Sequence, residues 1–462
     1  MTYHMDNPRF LYMPMEIASR ELDSRLLIAL FACREGIEIV TGQKWLLQKN
    51  AGQMPSGIWI FKTVTPGDAK QMMRIRKLGH RISAIDEEMP GLGEGSGRLR
   101  WVDKRSIETS DAIFCLGGQH IRAMMAKFPE YAQKYIETGN PRWDFLRPEL
   151  RGIYAQDADV IRAKYGAFIL VNTNIGLVNS AKNTAEALIK SLTSDGRINL
   201  ADPVDRDFID NLKEFEAANF AAAIPLVKRL RNEFPDRAIV LRPHPTERIE
   251  PYQDALNGED RIHILREGPA AAWLSACDVL VHTSCTTATE AFALGRPSVC
   301  FQTIPSPLHT YFLSGALSIV ANSEDEVIAK VKLVFEENLN QSDQASQRKV
   351  FERFFAAQNG SFSAHRIASF MAKTLSRLDA LHEGKVQWQP GWLFRQKWYP
   401  SKFQKRIFPN FTEAQITERL QQLATIVGIK DVPHVSQVGD GQYHIYPNSL
   451  ARISHRRRIL PF

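Results

Sequence analysis

The sequence has little cysteine and no long apolar run. Its five cysteines, Cys33, Cys115, Cys277, Cys285 and Cys300, are scattered through 462 residues and odd in number. They lack the close pairing of a zinc site or a disulfide framework, and read as small buried apolar side chains. No stretch approaches the roughly 20 apolar residues that a membrane span needs. The opening MTYHMDNPRF lacks the basic-then-apolar layout of a secretory signal. The expected location is the cytoplasm. Internal repeats and low-complexity tracts are also missing.

What is present is the composition of an ordinary globular protein, 44% hydrophobic and 24% charged, long enough for two domains or more. The formal charge of +7 would fit nucleic acid, an anionic membrane surface or an anionic substrate. Much of the excess lies late in the chain, in KWYPSKFQKRIF (397–408) and SHRRRIL (454–460). That favours a basic tail over a basic groove and makes nucleic acid the weakest partner. The tail interleaves cations with aromatics (Trp392, Phe394, Arg395, Lys397, Trp398, Lys402, Phe403, Lys405, Arg406, Phe408). It suits either peripheral contact with an anionic membrane or a packing strap.

Short β-rich runs alternate with helix-like segments along the first 150 residues: FLYMPM, IEIVTG, GIWIFKTV, HRISAI, AIFCLGG and YIETGN. After a polar linker near 147–163 the alternation restarts with AFILVNTN, AIVLRPHP, IHILRE, DVLVHTS and PSVCFQ. Strands alternating with helices imply parallel sheets covered on both faces. The expectation is two Rossmann-like domains facing across a cleft, an acceptor domain over 1–150 and a nucleotide-sugar donor domain over 151–380. A C-terminal extension over 381–462 would pack on the body. Ligands of such sheets bind where loops leave the carboxyl ends of the strands.

Chemistry is therefore sought at strand ends. AIVL runs into Arg242, Pro243, His244 and Pro245, which places a guanidinium and an imidazole where they can donate to anionic oxygens, with prolines fixing the backbone. DVLVHTSCTTATEAFALGRP carries Ser284, Thr286 and Thr287 at the opening of a helix, a natural anion site, and Glu290 follows on the same face, where it could accept from a ribose. In the first half, Asp86, Glu87 and Glu88 follow a strand at once. Their mutual repulsion raises at least one proton affinity and suits general acid/base work. Glu16 and Arg20 sit where the first strand enters its helix, either as a helical ion pair or as substrate contacts. Asn140, Asn172 and Asn174 end strands and read as substrate contacts or as turn residues.

RPHP followed by HTSCTTATE resembles the histidine-proline and Ser/Thr-rich motifs of GT-B glycosyltransferases that use CMP-activated acidic sugars, the sialyltransferase and Kdo-transferase groups. MEIASRELDSRLLIA, IDEEMPG, TGNPRWD and LVNTN resemble a bacterial family of surface carbohydrate biosynthesis proteins, over roughly residues 10–420. The resemblance implies a metal-independent glycosyltransferase of surface polysaccharide, with no cofactor beyond its nucleotide-sugar donor and a glycan or lipid-linked acceptor. In it His244, Ser284 and Thr286 hold the donor phosphate, Glu290 lies near the nucleotide, and one of Asp86, Glu87 and Glu88 is the base. Sialyltransferase-like enzymes have glycine directly after their acidic pair, whereas here Met89 and Pro90 intervene. Two other readings are a CDP-alcohol phosphotransferase or UDP-sugar 2-epimerase-like enzyme, and a non-catalytic glycan- or nucleotide-binding subunit.

Overall fold

The computed structural model of the chain describes residues 9–87, 92–93, 99–181, 184–337, 341–379 and 399–450. They divide into two compact units. The first joins Met1–Glu87, Val102–Ile153 and Phe355–Phe462; the second joins Glu88–Trp101 and Tyr154–Phe354.

The first unit is built on one eight-stranded sheet. In chain order its strands are β1 (Phe10–Met15), β2 (Glu38–Gln43), β3 (Gly57–Phe61), β4 (Arg81–Ile85), β5 (Ala112–Cys115) and β6 (Tyr135–Glu137). The second unit follows with β7 (Phe168–Asn172), β8 (Ala238–Arg242), β9 (Ile262–Ile264), β10 (Val279–His282), β11 (Ser298–Phe301) and β12 (Ile319–Ala321). A hairpin, β13 (His434–Gly439) and β14 (Gln442–Tyr446), returns to the first sheet. Each apolar run recognised in the sequence overlaps one of these strands, and β12 falls outside the recognised runs. Inside-only burial of β1, β5, β7, β10 and β11 matches their unbroken apolar character.

Sheet order decides where ligands can bind. In the first sheet, β13-β14-β2-β1-β3-β4-β5-β6, the chain steps from β1 to β2 on one side and then crosses to β3 on the other. In the second, β12-β11-β10-β7-β8-β9, it runs outward from β7 and then restarts at β10 on β7's other flank. Such reversals splay the connecting loops apart and leave a crevice at the carboxyl ends of the strands involved. The switch points are thus Glu16, just past β1, and Asn172–Asn174, at the end of β7.

Two parts of the chain differ from the sequence reading. The expected polar linker contains a helix, Ala155–Tyr165, stopped by Gly166 at φ +69°. The end of the chain supplies antiparallel strands: β14 pairs with β2 from Gln442↔Gly42 to Ile445↔Ile39. Helix Ser363–Asp379 packs on helix Ala18–Arg34 in the same unit, and Asp144 accepts the N–H groups of Ser363 and Ala364, both at 2.9 Å. The hairpin's attachment depends on Gly42. It has φ +143°, and a Cβ there would lie 2.1 Å from the carbonyl oxygen of Gly441. Gly42→Ala is expected to lower stability by about 3 kcal/mol, read as a reduced urea midpoint by circular dichroism.

Candidate functional site

In the first unit the strand ends form a layered ionic cluster. Glu21, on the first turn of helix Ala18–Arg34, accepts the N–H groups of Glu16 and Ile17, each at 3.0 Å. This satisfies donors that a helix start leaves open. One turn on, the fully buried Arg25 places Nη2 2.9 Å from Glu87 and 3.9 Å from Glu21. Lys62, after β3, lies 2.6 Å from Glu16 and 3.8 Å from Glu21. Lys44, after β2, bonds Asp68 at 2.8 Å and approaches Glu16 at 3.8 Å. Charges buried this deeply persist only when paired.

Burial drives the two inner carboxylates upward, and their neighbours decide the outcome. Glu87 ends below its ordinary range, because Arg25, then Arg142, Lys62 and Arg20, outweigh burial. Glu21 ends above its ordinary range, through burial and the charge of Glu87. Repulsion along the acidic run was expected to raise a proton affinity; at Glu87 the guanidinium of Arg25 produces the opposite direction. Glu16 is the open member of the cluster, its side chain 29% exposed against 2% for Glu21 and 7% for Glu87. Arg20 is exposed and Asp86 buried. Glu88 lies outside the described residues. Asn140 is buried beyond β6 and caps helix Pro141–Asp144 by accepting the Arg142 N–H at 3.0 Å.

In the second unit, backbone register puts three strand-end residues in one row: His282 on β10, Asn172 on β7 and Arg242 on β8. Asn172 donates to the hydroxyl of Thr287 at 2.8 Å, and that hydroxyl donates to Cys285 Sγ at 3.1 Å. Arg242 is turned toward structure: Nη2 donates to the carbonyls of Glu267 (3.0 Å) and Gly268 (3.1 Å), and its guanidinium lies 5.1 Å from the Trp273 ring centroid. Burial lowers its pKa to about 10, with Glu290 the foremost charge opposing that shift. Glu290 and Arg242 thus sense each other. Asn174 is half-buried in the loop beyond β7.

The turn after β10 differs from the expected cradle of open N–H groups. His282 is buried, and burial lowers its pKa to about 3. Its neutral Nδ1 accepts the N–H groups of Ser284 (3.1 Å) and Cys285 (3.3 Å), while Nε2 meets the Ser318 hydroxyl at 2.9 Å. Ser284 is therefore enclosed, at φ +70°, a conformation costing a non-glycine residue about 1 kcal/mol or more. Thr286 is the exposed hydroxyl, and helix Thr287–Ala293 follows it.

The residue that holds this unit's site together is one the sequence reading passed over. Glu247 is completely buried. Its carboxylate accepts the Thr173 hydroxyl (2.8 and 3.0 Å), the Ile175 N–H (3.0 Å), the His244 N–H (3.0 Å) and the Tyr252 hydroxyl (2.7 Å). Burial and the Glu247 charge keep the Tyr252 hydroxyl protonated, as that donation requires. One carboxylate so ties the loop after β7 to the loop after β8. His244 is half-buried, with Nδ1 2.7 Å from Thr246 Oγ1. Nearby, Glu216 accepts the N–H groups of Leu177 (2.7 Å) and Val178 (2.9 Å) from the same β7 loop.

Among the described residues no group of three or more His, Cys, Asp or Glu could hold a metal ion. The triplets 157–159 and 205–207, of Asp-X-Asp form, both lie within helices, and Asp205 is ion-paired with Arg100. No described helix is long and apolar enough to cross a membrane. Of the basic tail, Trp392, Phe394, Arg395, Lys397 and Trp398 lie outside the described residues, as does 454–460.

Burial raises the Glu216 pKa to about 7, so the folded state binds a proton that the unfolded chain releases near 4.5. That contribution to stability is complete below pH 4.5 and is lost as pH rises through 7. Glu216→Gln should match wild type near pH 4 and exceed it by about 2–3 kcal/mol above pH 8, measured by urea unfolding across pH.

No family model matches the chain, and no curated protein matches it. Solved structures do. The chain is similar to a Listeria monocytogenes protein assigned as a UDP-N-acetylglucosamine 2-epimerase, with 12% identity and a TM-score of 0.50 over 81% of this chain and 98% of that one. It is also similar to S. aureus MnaA solved with UDP, with 13% identity and a TM-score of 0.49 over 80% and 97%. A variant of the wall teichoic acid polymerase TagF solved with CDPG gives 12% identity and 0.49 over 80% and 89%. The likeness to the Listeria protein is one of fold: this chain is an α/β protein of the GT-B type, with two Rossmann-like units.

Proposed function

We propose that the protein is a glycosyltransferase of surface polysaccharide biosynthesis, with the second unit binding a nucleotide-sugar donor and the first serving the acceptor. The observation that carries this reading is the concentration of hydrogen-bonding side chains at the switch point of the second sheet. His244, Asn172, Thr287, the exposed Thr286 and Glu290 all stand on or just beyond the ends of three adjacent strands. A nucleotide offers what such a set can use: phosphate oxygens for N–H and O–H donors and ribose hydroxyls for a carboxylate.

In the transfer, an acceptor hydroxyl attacks the anomeric carbon and the bond from that carbon to the donor phosphate breaks. The proton leaves to a carboxylate and the negative charge collects on the departing phosphate. His244 and Thr286 are the groups suited to stabilise that charge. On the acceptor side the acidic run provides Asp86 and Glu87. The pairing with Arg25 keeps Glu87 ionised and weakly basic, and the more open Glu16, paired with Lys62, presents a third carboxylate, at the switch point of the first sheet. Arg20 is the cation proposed for an acidic sugar. A CMP-linked donor such as CMP-Kdo is the finer proposal, resting on the motif resemblance. A UDP-sugar 2-epimerase-like activity is the second reading, since that is the assignment of the Listeria protein whose fold this chain shares.

A thermal-shift panel of CMP, CDP, UDP and their sugar or glycerol conjugates separates these readings. A ligand at 100 times its Kd adds about 2.7 kcal/mol, a shift of several degrees in Tm. CMP and CMP-sugars are expected to stabilise the wild type and to lose that effect in His244→Ala. Stabilisation by UDP-sugars alone selects the epimerase-like reading, and no response to any nucleotide contradicts both.

A further inference from the structure

Within the first unit a cavity of about 520 Å³ is lined by Tyr399, Pro400, Lys405, Phe408, Asn410 and Asp440. Its size falls within the roughly 300–1,000 Å³ of small-molecule sites. Three of these residues, Tyr399, Lys405 and Phe408, come from the stretch whose interleaved cations and aromatics stood out in the sequence. Local bonds hold the lining in place. At the start of helix Lys402–Ile407, the Gln404 N–H donates to Ser401 Oγ at 3.2 Å and the Ser401 N–H donates to Gln404 Oε1 at 2.9 Å. Phe408, which ends that helix, is fully buried with Met15 and Ala18. Asp440 stands in the turn between β13 and β14. The next residue, Gly441, accepts the Gln43 N–H on its carbonyl at 2.9 Å and donates to Asn410 Oδ1 at 3.1 Å. Register then places the turn at the carboxyl edge of the first sheet, since Met15 pairs with Gln43 and Gly42 with Gln442. With neighbouring strands about 4.8 Å apart, the turn lies roughly 10 Å from the end of β1, where Glu16 follows.

The lining has the chemistry of a sugar site. Tyr399 is 85% exposed, the most open large apolar side chain among the described residues, and an aromatic ring left in water is a platform that an apolar surface can cover. A pyranose ring has such a surface in its C–H groups, ringed by hydroxyls that both donate and accept. Asp440 can accept from them and Lys405 can donate to them; Asn410, whose Oδ1 is engaged by Gly441, has its amide N–H groups left to donate. Lys405 and Asp440 also cancel in charge. The cavity therefore does not select a phosphate, and an anionic membrane would call for cations without an opposing carboxylate. We propose that this cavity binds a sugar ring of the acceptor glycan, with Tyr399 as its platform and Lys405, Asn410 and Asp440 as partners of its hydroxyls. That the glycan is an acceptor rests on the transferase reading above; that the cavity takes a sugar rests on its lining.

The test probes the full chain on an array of bacterial surface oligosaccharides and measures the best-bound one by calorimetry. Wild type should bind at least one of them. Tyr399→Ala should weaken that binding about tenfold and Tyr399→Phe, which keeps the ring, should retain it; Lys405→Ala should weaken it several-fold. Tyr399 and Lys405 are exposed, so each variant should keep the wild-type Tm and the wild-type thermal shift with CMP, CDP and UDP. No oligosaccharide bound by wild type, or equal binding by Tyr399→Ala, overturns the proposal. Tyr399-dependent binding to phosphatidylglycerol vesicles with no oligosaccharide bound also overturns it, in favour of a membrane surface. Tyr399-dependent oligosaccharide binding by a protein that responds to no nucleotide overturns the transferase reading and leaves the sugar site supported. A nucleotide response together with oligosaccharide binding indifferent to Tyr399 overturns the sugar site alone.

Discussion

A carboxylate buried without exposure must be met on all sides by donors, and Glu247 is met by two backbone N–H groups and two hydroxyls drawn from three segments of the chain. That requirement organises the second unit's strand ends. Parallel strands finish by releasing the chain into loops whose N–H groups have lost their sheet partners, and a loop left to itself would search many conformations. Glu247 collects such groups from beyond β7 and β8 at once, so neither loop can move without leaving a charge unsatisfied. His282 does the same on the far side of β7 for the turn containing Ser284, using a neutral imidazole as the acceptor. Between them the switch point is framed by side chains that face inward and position others that face out.

The first unit solves the same problem with ion pairs. Glu21 takes the N–H groups that open the first helix, and Arg25, one turn later, spans from it to Glu87 beyond β4. Because the guanidinium is fully buried, its separation from either carboxylate would leave a charge stranded in low dielectric. The pairing therefore fixes the loop after β4 to the start of the first helix. Glu16 and Arg20, the charges proposed to meet substrate, are more exposed than this buried layer.

The strands were legible because fully buried parallel strands are written as unbroken β-branched and apolar runs, and because each is followed by helical spacing. The hairpin β13–β14 was missed although VSQVGDGQYHI carries an Asp-Gly turn at Asp440–Gly441 between strand-like runs; the surrounding region read as irregular. Strand-end histidines, hydroxyls and acids were found at their places, since a sheet's carboxyl edge follows from strand order. Their commitments were not. Ser284 reads as a hydroxyl on an open helix start, but the acceptor that closes the turn is His282, on the strand itself. Arg242 reads as an anion ligand, but the carbonyls that take its Nη2 belong to Glu267 and Gly268, about a strand further along. Glu247 has nothing in its spacing to mark it: two of its partners, Thr173 and Ile175, lie more than 70 residues earlier in the chain. Pairings set by the fold are invisible to local pattern.

Hydrogen exchange read at the amides of Ile175 and His244, in wild type and Glu247→Ala, tests the claim that one buried carboxylate holds both loops of the proposed donor site. Removing it leaves four donor groups without an acceptor, so both amides should lose protection together, with global stability lower by about 3 kcal/mol. Retained protection at both amides in the variant, or loss at one loop alone, would contradict the account.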